Sequence, residues 1–300
     1  MNRKEKILRF INTAGNGIEL GPSFNPIAPK KEGYRVEIID HLSREQLVEK
    51  YRGQRVNLEN IEEVDFVWQG ENYAELTGKR KYYDWIIASH VIEHTPDLIG
   101  FLKNCAAILK DDGVLSLVVP DKRYCFDHYR PLTGIAKIID SHFQKNERPT
   151  AGAVAEYFIN AVANAGNIFW SSTAPENFRF IHSLAEVQKL MGTVVQEKTY
   201  IDVHAWCFVP HSFRLIIQDL FGLGFIPFQE LGFYPTEGHE FYITLGRQGK
   251  GLDRSRLEMV QMIESELTAR GPLLVRSRRR IKGLLKRFIP PFIRRFPGAR

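Results

Sequence analysis

GIELGPSFNP, residues 17 to 26, is an apolar run with one embedded acid that stops at a glycine and a proline. A dinucleotide cradle would place two more glycines at short spacing after Gly21, so that the backbone could approach a pyrophosphate and aim N–H donors at it. Here Ser23 and Asn25 occupy the loop, and Pro26 and Pro29 leave room for little more than one helical turn before the next apolar run. The stretch therefore reads as a strand followed by a ligand loop that lacks phosphate chemistry. Asn25, which tolerates positive φ, is the residue expected to help the loop turn.

Beyond this stretch, β-type runs recur at 35–40 (RVEIID), 64–68 (VDFVW), 83–89 (YDWIIAS) and 114–120 (VLSLVVP), with helical patterns between them. That alternation predicts a parallel sheet with helical crossovers. Ser43 with Gln46 predicts a capped helix through about Tyr51, and Asp97 to Leu109 predicts an amphipathic helix closed by the DDG of 111–113. From Asp121 to Ile201 no strand run is legible, and the segment reads as an inserted helical cap. A helix followed by a Gly-marked turn within 204–225, a strand pair near FIPFQEL and EFYITLGR, and a helix over 255–270 stopped by Gly271-Pro272 complete the pattern. The fold expected is α/β and Rossmann-like: a doubly wound, mostly parallel seven-stranded sheet with a helical cap. Residues 1–250 form its main domain, with the cap at 121–201, and 251–300 form a C-terminal helix and basic tail.

Composition bounds the function. Of 300 residues, 44% are hydrophobic and 25% charged, an ordinary globular balance. Cys105, Cys125 and Cys207 are odd in number and widely spaced, which argues against a disulfide frame or a thiolate zinc site. No run approaches the ~20 apolar residues of a membrane span, and the first residues carry no signal-length apolar run, so a cytoplasmic protein is expected. The formal charge of +6 is uneven, because residues 274–300 hold ten Arg and Lys and no acid, which leaves about −4 on the body. Nucleic acid is not an expected partner. Within the tail, Ile281, Leu284, Leu285 and Phe288 fall at i, i+3, i+4 and i+7 among basic residues. That pattern predicts an amphipathic helix, ended by Pro290-Pro291, on the inner face of an anionic membrane. A solvated basic tail and a nucleic-acid arm are the alternatives.

Asp40 ends the second run about twenty residues after Glu19, the offset at which an acid meets ribose hydroxyls in nucleotide-binding α/β sheets. An adenosine ligand without phosphate fits such a loop. On these segments the chain resembles the class I S-adenosylmethionine-dependent methyltransferases. IELGPSFNP resembles their first motif and EIID the second; WIIASHVIEHTPD resembles the segment after the fourth strand and LKDDGVLSLVVP the turn into the fifth. HAWCFVPHSF is similar to the helix start before the sixth, and the resemblance spans Gly17 to Gly246. It implies methyl transfer from S-adenosylmethionine, with Glu19, Gly21, Ser23, Asn25, Asp40, Gln69, Glu71, Ser89 and His90 at the cofactor. The acid at Glu19 would meet the cofactor's amino group or order the loop, against the alternative of an edge position facing solvent.

His90-Val-Ile-Glu93-His94 also matches the H-x-x-E-H zinc-protease pattern, but it follows a strand directly instead of lying in a long helix. Ubiquinone-pathway O-methyltransferases carry E-x-x-E-H here and bind a divalent cation. With His90 in place of the first Glu, a magnesium role is not expected, and any metal is left unassigned. An oxygen acceptor needs a base near neutral pH, which points to His94, with Glu93 beside it. Asp121, with Arg123, lies just beyond the fifth strand where it can meet substrate or cap a turn, and His204 is a weaker candidate. An eighty-residue cap favours an enclosed small-molecule pocket over an open groove for a macromolecule, and the activity expected is methylation of a small or saccharide-linked acceptor at oxygen. The rival reading is a non-catalytic protein of this fold that serves as a binding module at the membrane surface.

Overall fold

A computed structural model of the chain describes residues 1–197 and 200–268. The expected amphipathic tail of 274–300 and the Gly271-Pro272 helix stop lie outside the described residues.

Seven strands form one sheet in the order β3-β2-β1-β4-β5-β9-β8. These are β1 (Gly17–Leu20), β2 (Val36–Asp40), β3 (Phe66–Val67), β4 (Tyr83–Ser89), β5 (Leu109–Pro120), β8 (Gln229–Glu237) and β9 (Glu240–Gly246). The first five pair in parallel, while β9 runs antiparallel to both β5 and β8. The chain winds from β1 outward to β3 and then returns to β4, so the strand order reverses between β1 and β4. Open α/β sheets bind ligands beyond the strand ends at such a reversal.

Each central strand is buried on both faces, which accounts for unbroken apolar runs in place of alternation. In β4, Ile86 and Ala88 face a large core, and Trp85 and Ile87 face a second one. The large core packs β4, β5 and β9 against α4 (Leu98–Ile108) and α8 (Pro210–Gly222). The second is closed by α1 (Arg3–Leu8), whose Ile7 packs on Trp85 and Val118 and whose Ile7 carbonyl accepts from the buried Ser116 hydroxyl at 2.8 Å. Gly17 is required by close approach, since a Cβ there would stand 2.1 Å from the Trp85 indole.

Local signals set most boundaries. The Ser43–Gln46 capping box opens α2 (Arg44–Tyr51), and Asp97 caps α4 through the Gly100 N–H. The β1–β2 crossover holds a single 3-10 turn, Lys30–Glu32. The DDG of 111–113 does not close α4, however: the helix ends at Ile108, and those residues already lie in β5. Of the expected strand pair, β9 falls on EFYITLGR, whereas β8 is shifted, beginning at Gln229 and running on through Pro235, a residue an edge strand tolerates.

Between 121 and 201 the structure adds to the all-helical expectation. It places α5 (Ile135–Phe143), α6 (Ala151–Asn160) and α7 (Leu184–Glu197) there, together with a two-stranded sheet of β6 (Val162–Asn164) and β7 (Phe178–Phe180). Three residues are too few for period-two alternation to be legible in a sequence. The remaining helices are α3 (Tyr73–Thr77) and α9 (Arg256–Thr268), and no described helix is long and apolar enough to cross a membrane.

Candidate active site

The carboxyl ends of β3, β2, β1, β4 and β5 stand side by side and carry Gln69, Asp40, Gly21, His90 and Asp121 in that order. At the strand-order reversal the backbone is tight. Gly21 has φ +58°, its N–H donates to the Ile39 carbonyl at 2.8 Å, and a Cβ would stand 3.2 Å from Val91 Cγ2. The second left-handed residue of the loop is Ser23 (φ +50°), whereas Asn25 turns through its N–H to the Pro22 carbonyl without positive φ.

Glu19 organises this loop from beneath. It lies on a central strand with 2% exposure, so it does not occupy a solvent-facing edge. Its two carboxylate oxygens accept the Ile27 and Ala28 N–H groups at 2.7 and 3.0 Å. Burial pushes its pKa up to about 7, against the lowering effect of those two bonds. Asp40 is buried as well. Its oxygens accept the Ser23 N–H at 3.2 Å and the His41 N–H at 2.7 Å, and Tyr51 donates to the Ser23 hydroxyl at 3.3 Å. His41 Nδ1 also lies 2.6 Å from Asp40 Oδ1, and since a carboxylate has about four acceptor positions, Asp40 keeps one on Oδ2 for ribose. Gln69 and Glu71 are exposed; the Gln69 N–H and Trp68 Nε1 both donate to Glu71, at 2.8 and 2.7 Å. This set fits an adenosine: an acid at the second strand end, a turn tight enough for close approach, and no constellation of phosphate-facing glycines.

Ser89 and His90 sit across the reversal. Arg3 donates to the Ser89 hydroxyl at 2.9 Å and pairs with Glu240 at 2.6 Å, and Glu240 in turn meets His90 Nε2 at 2.8 Å. His90 has φ +54°. Burial disfavours its charge, but Glu240 and Glu93 outweigh that and raise its pKa to about 9.

Beyond His90 the chain makes a 3-10 turn, Ile92–His94, and this turn and the Thr95 that follows it are joined to the segment 202–206 by backbone and side-chain hydrogen bonds. The Ala205 N–H donates to the Glu93 carbonyl at 2.7 Å, and Trp206 Nε1 to the Thr95 carbonyl at 2.5 Å. That pairing sets His94 and His204 edge to face with ring centroids 4.7 Å apart, above a fully buried Glu93. Each imidazole has its own acid, with His94 Nδ1 2.8 Å from Asp202 and His204 Nδ1 2.5 Å from Asp127. For His94, burial opposes the charged form, and the Asp202 carboxylate more than offsets it, so the pKa is raised. Glu93 is pushed up by burial and drawn below its ordinary value by the imidazoles of His90, His94 and His204. Asp127 also holds Arg130 at 2.8 Å, and the buried Arg130 reaches Glu156 on α6 at 3.0 Å. Phe126 packs on His204 at 4.6 Å, with Tyr157 at 6.4 Å. The 121–201 segment thus walls one side of the site.

The structure therefore brings Glu93, His94 and His204 together and leaves Asp121 apart from that cluster. Asp121 is buried, caps the turn Lys122–Tyr124, and spends its oxygens on Arg123 and on the Thr236 hydroxyl, at 2.5 and 2.6 Å. Asp202, Asp127, Arg130, Glu240 and Arg3 were not legible as site residues in the sequence. The spacing Asp202-x-His204, next to the recognised HAW, was the one signal that could have flagged the first of these.

The chain matches the family model described as "Methyltransferase domain" over residues 4–188, more than half its length. Among solved structures it is similar to a SAM-dependent methyltransferase from Aquifex aeolicus, at 19% identity and TM-score 0.30, covering 40% of this chain and 65% of that one. It is similar to the trans-methyltransferase CalH in complex with SAH, at 16% and 0.37, covering 77% and 51%. The PH0226 protein from Pyrococcus horikoshii OT3 is similar at 11% and 0.36, covering 80% and 85%. No curated protein matches the chain.

Proposed function

Since the chain belongs to the S-adenosylmethionine-dependent methyltransferases with a Rossmann-like fold, we propose that it transfers a methyl group to a hydroxyl of a small or saccharide-linked acceptor. S-adenosylmethionine, when bound, supplies a methyl group on a sulfonium whose charge is lost in the displacement. The protein's part is to align the two partners, keep water away and take up the acceptor's proton.

In this reading Asp40 accepts from a ribose hydroxyl, while Gly21, Ser23 and Asn25 shape the loop over it. Glu19 supports that loop through the Ile27 and Ala28 N–H groups. Gln69 and Glu71 lie toward the adenine, and Ser89 and His90 toward the methionine end. His94 is the base: Asp202 occupies its Nδ1 and fixes the ring, which leaves Nε2 to receive the proton. Glu93 and His204 set the field around it. Asp121, held by Arg123 and Thr236, acts by shaping the end of β5 and positioning Arg123.

The observation that carries the oxygen-acceptor reading is the Asp202–His94 pair, a half-exposed base oriented by a carboxylate. Phe126, Tyr157 and the rest of the 121–201 segment beside it favour an enclosed acceptor of modest size. The ten basic residues of 274–300 support attachment to an anionic inner membrane face, where a lipid-linked acceptor would be presented. The test is to incubate full-length protein with methyl-labelled S-adenosylmethionine and fractionated cell extract. Label on oxygen in the small-molecule or glycan-lipid fraction supports the reading, and label confined to protein or nucleic acid contradicts it.

A further inference from the structure

Glu93 poses a problem that the methyl-transfer reading does not solve. It is completely buried, and among the described residues neither of its carboxylate oxygens has a hydrogen-bond partner. The nearest nitrogen, His90 Nδ1 at 3.4 Å, is not aligned as a donor. A buried carboxylate left in this state is costly, and native structures keep such groups only for a reason.

The surroundings supply one. Glu93, His94 and His204 each offer a ligand atom, and these atoms all lie within 4.8 Å of one another. Two imidazoles with one carboxylate is the donor set of open, three-ligand transition-metal sites. Ligands about 2.0–2.2 Å from a tetrahedral ion stand ~3.4 Å apart, so each ligand atom of the cluster needs to move by less than about 1 Å to close on an ion. Imidazoles that bind metals characteristically give their other ring nitrogen to a carboxylate, and both do so here, His94 to Asp202 and His204 to Asp127. The backbone bond from Ala205 to the Glu93 carbonyl holds the two halves of the cluster in place without any ion.

We propose that Glu93, His94 and His204 form a binding site for a divalent transition-metal ion of the zinc class, with Asp202 and Asp127 as the positioning residues of its two imidazoles. This differs from the magnesium site implied by E-x-x-E-H. His90, at the first acidic position of that pattern, is turned to Glu240, and the imidazole-rich set prefers softer ions. A second grouping, His90, His239 and Glu240, is a poorer candidate because Arg3 already neutralises Glu240 at 2.6 Å. An ion in the first cluster takes the lone pair that the proposed proton transfer needs, so the metal-free protein is the form in which His94 acts as a base.

The probe is Co2+ alone, titrated into chelator-treated full-length protein and followed through its visible d–d absorption, with Zn2+ as competitor. The proposal expects one Co2+ per chain with the bands of a four- or five-coordinate ion, displaced by Zn2+. Affinity should fall more than 100-fold in Glu93→Gln and His204→Ala, fall about 10- to 100-fold in Asp202→Asn, and stay unchanged in His239→Ala. Circular dichroism and a thermal melt check that each variant folds. Asp202 is partly exposed, so Asp202→Asn carries the test if the buried variants do not fold. Absence of the bands, binding unaffected by Glu93→Gln, His204→Ala and Asp202→Asn, or binding lost equally in His239→Ala would overturn the proposal. Cofactor binding is measured separately by calorimetry, so a protein that binds S-adenosylmethionine and no Co2+ loses only this inference.

Discussion

His94 Nδ1 lies 2.8 Å from Asp202 Oδ1, across 108 positions of sequence, and this contact joins the strand-end turn after β4 to the segment that returns from the 121–201 insertion. It fixes the tautomer and orientation of the one imidazole in the cluster with substantial exposure.

If His94 takes the acceptor proton, His94→Ala lowers kcat by ~10² to 10⁴ in metal-free protein while S-adenosylmethionine affinity stays near wild type. Asp202→Asn lowers kcat in the same direction with KM little changed. Steady-state kinetics beside calorimetry measures both, and equal losses of binding and turnover would make His94 a cofactor or structural residue instead.

Asp40→Ala should weaken S-adenosylmethionine binding by ~1 to 3 kcal/mol, the worth of charge-assisted hydrogen bonds to ribose. The Ser23 N–H loses its acceptor in the same variant. Asp40→Asn keeps an acceptor for the loop and separates the two effects. Unchanged affinity in both variants removes Asp40 from the site.

Glu19 predicts a pH dependence of stability. Its folded pKa, about 7, lies above the ordinary value of 4.5, so the folded state holds this proton more tightly than the unfolded chain does. The resulting stability is full below pH ~4.5 and is lost as pH rises through ~7. Urea unfolding at pH 5 and pH 8 should therefore show wild type losing more stability across that range than Glu19→Gln. An identical pH dependence in the two proteins would contradict the assignment.

Asp127 neutralises Arg130, whose side chain has no exposure. Asp127→Ala strands that guanidinium with Glu156 alone and frees His204, at a cost of about 3–5 kcal/mol in unfolding free energy. Denaturant melts measure it, and a loss below ~1 kcal/mol would mean that water reaches the pair.

The tail reading is checked by liposome co-sedimentation of full-length protein against a chain ending at Gly271. Full-length protein should pellet with anionic vesicles and less so at high salt. Both chains remaining in the supernatant would remove the membrane partner.

Much of this architecture was legible because β1, β2, β4 and β5 are buried on both faces and so read as apolar runs ending in Gly21, Asp40, Ser89 and Pro120. Capping at Ser43 and Asp97 located helix starts to within a residue. The β6–β7 pair was not legible at three residues per strand, and β8 was misplaced because Gly232 and Pro235 interrupt its pattern. At the site, Glu93, His94 and His204 stood out by residue type. Their partners Asp202 and Asp127 did not, because pairings over 108 and 77 positions depend on the fold, and only Asp202, two residues before His204, had any local signal. Asp121 stood out by position, but the sequence held no sign that Thr236 on β8 would share its carboxylate.

The loop between β1 and β2 and the ends of β2 and β4 are proposed to hold S-adenosylmethionine. Isothermal titration of the full-length protein with S-adenosylmethionine and S-adenosylhomocysteine tests this most directly. Saturable one-to-one binding of both is expected, weakened by Asp40→Ala and preserved in His94→Ala. A flat titration for both ligands, from protein that melts cooperatively, would contradict it.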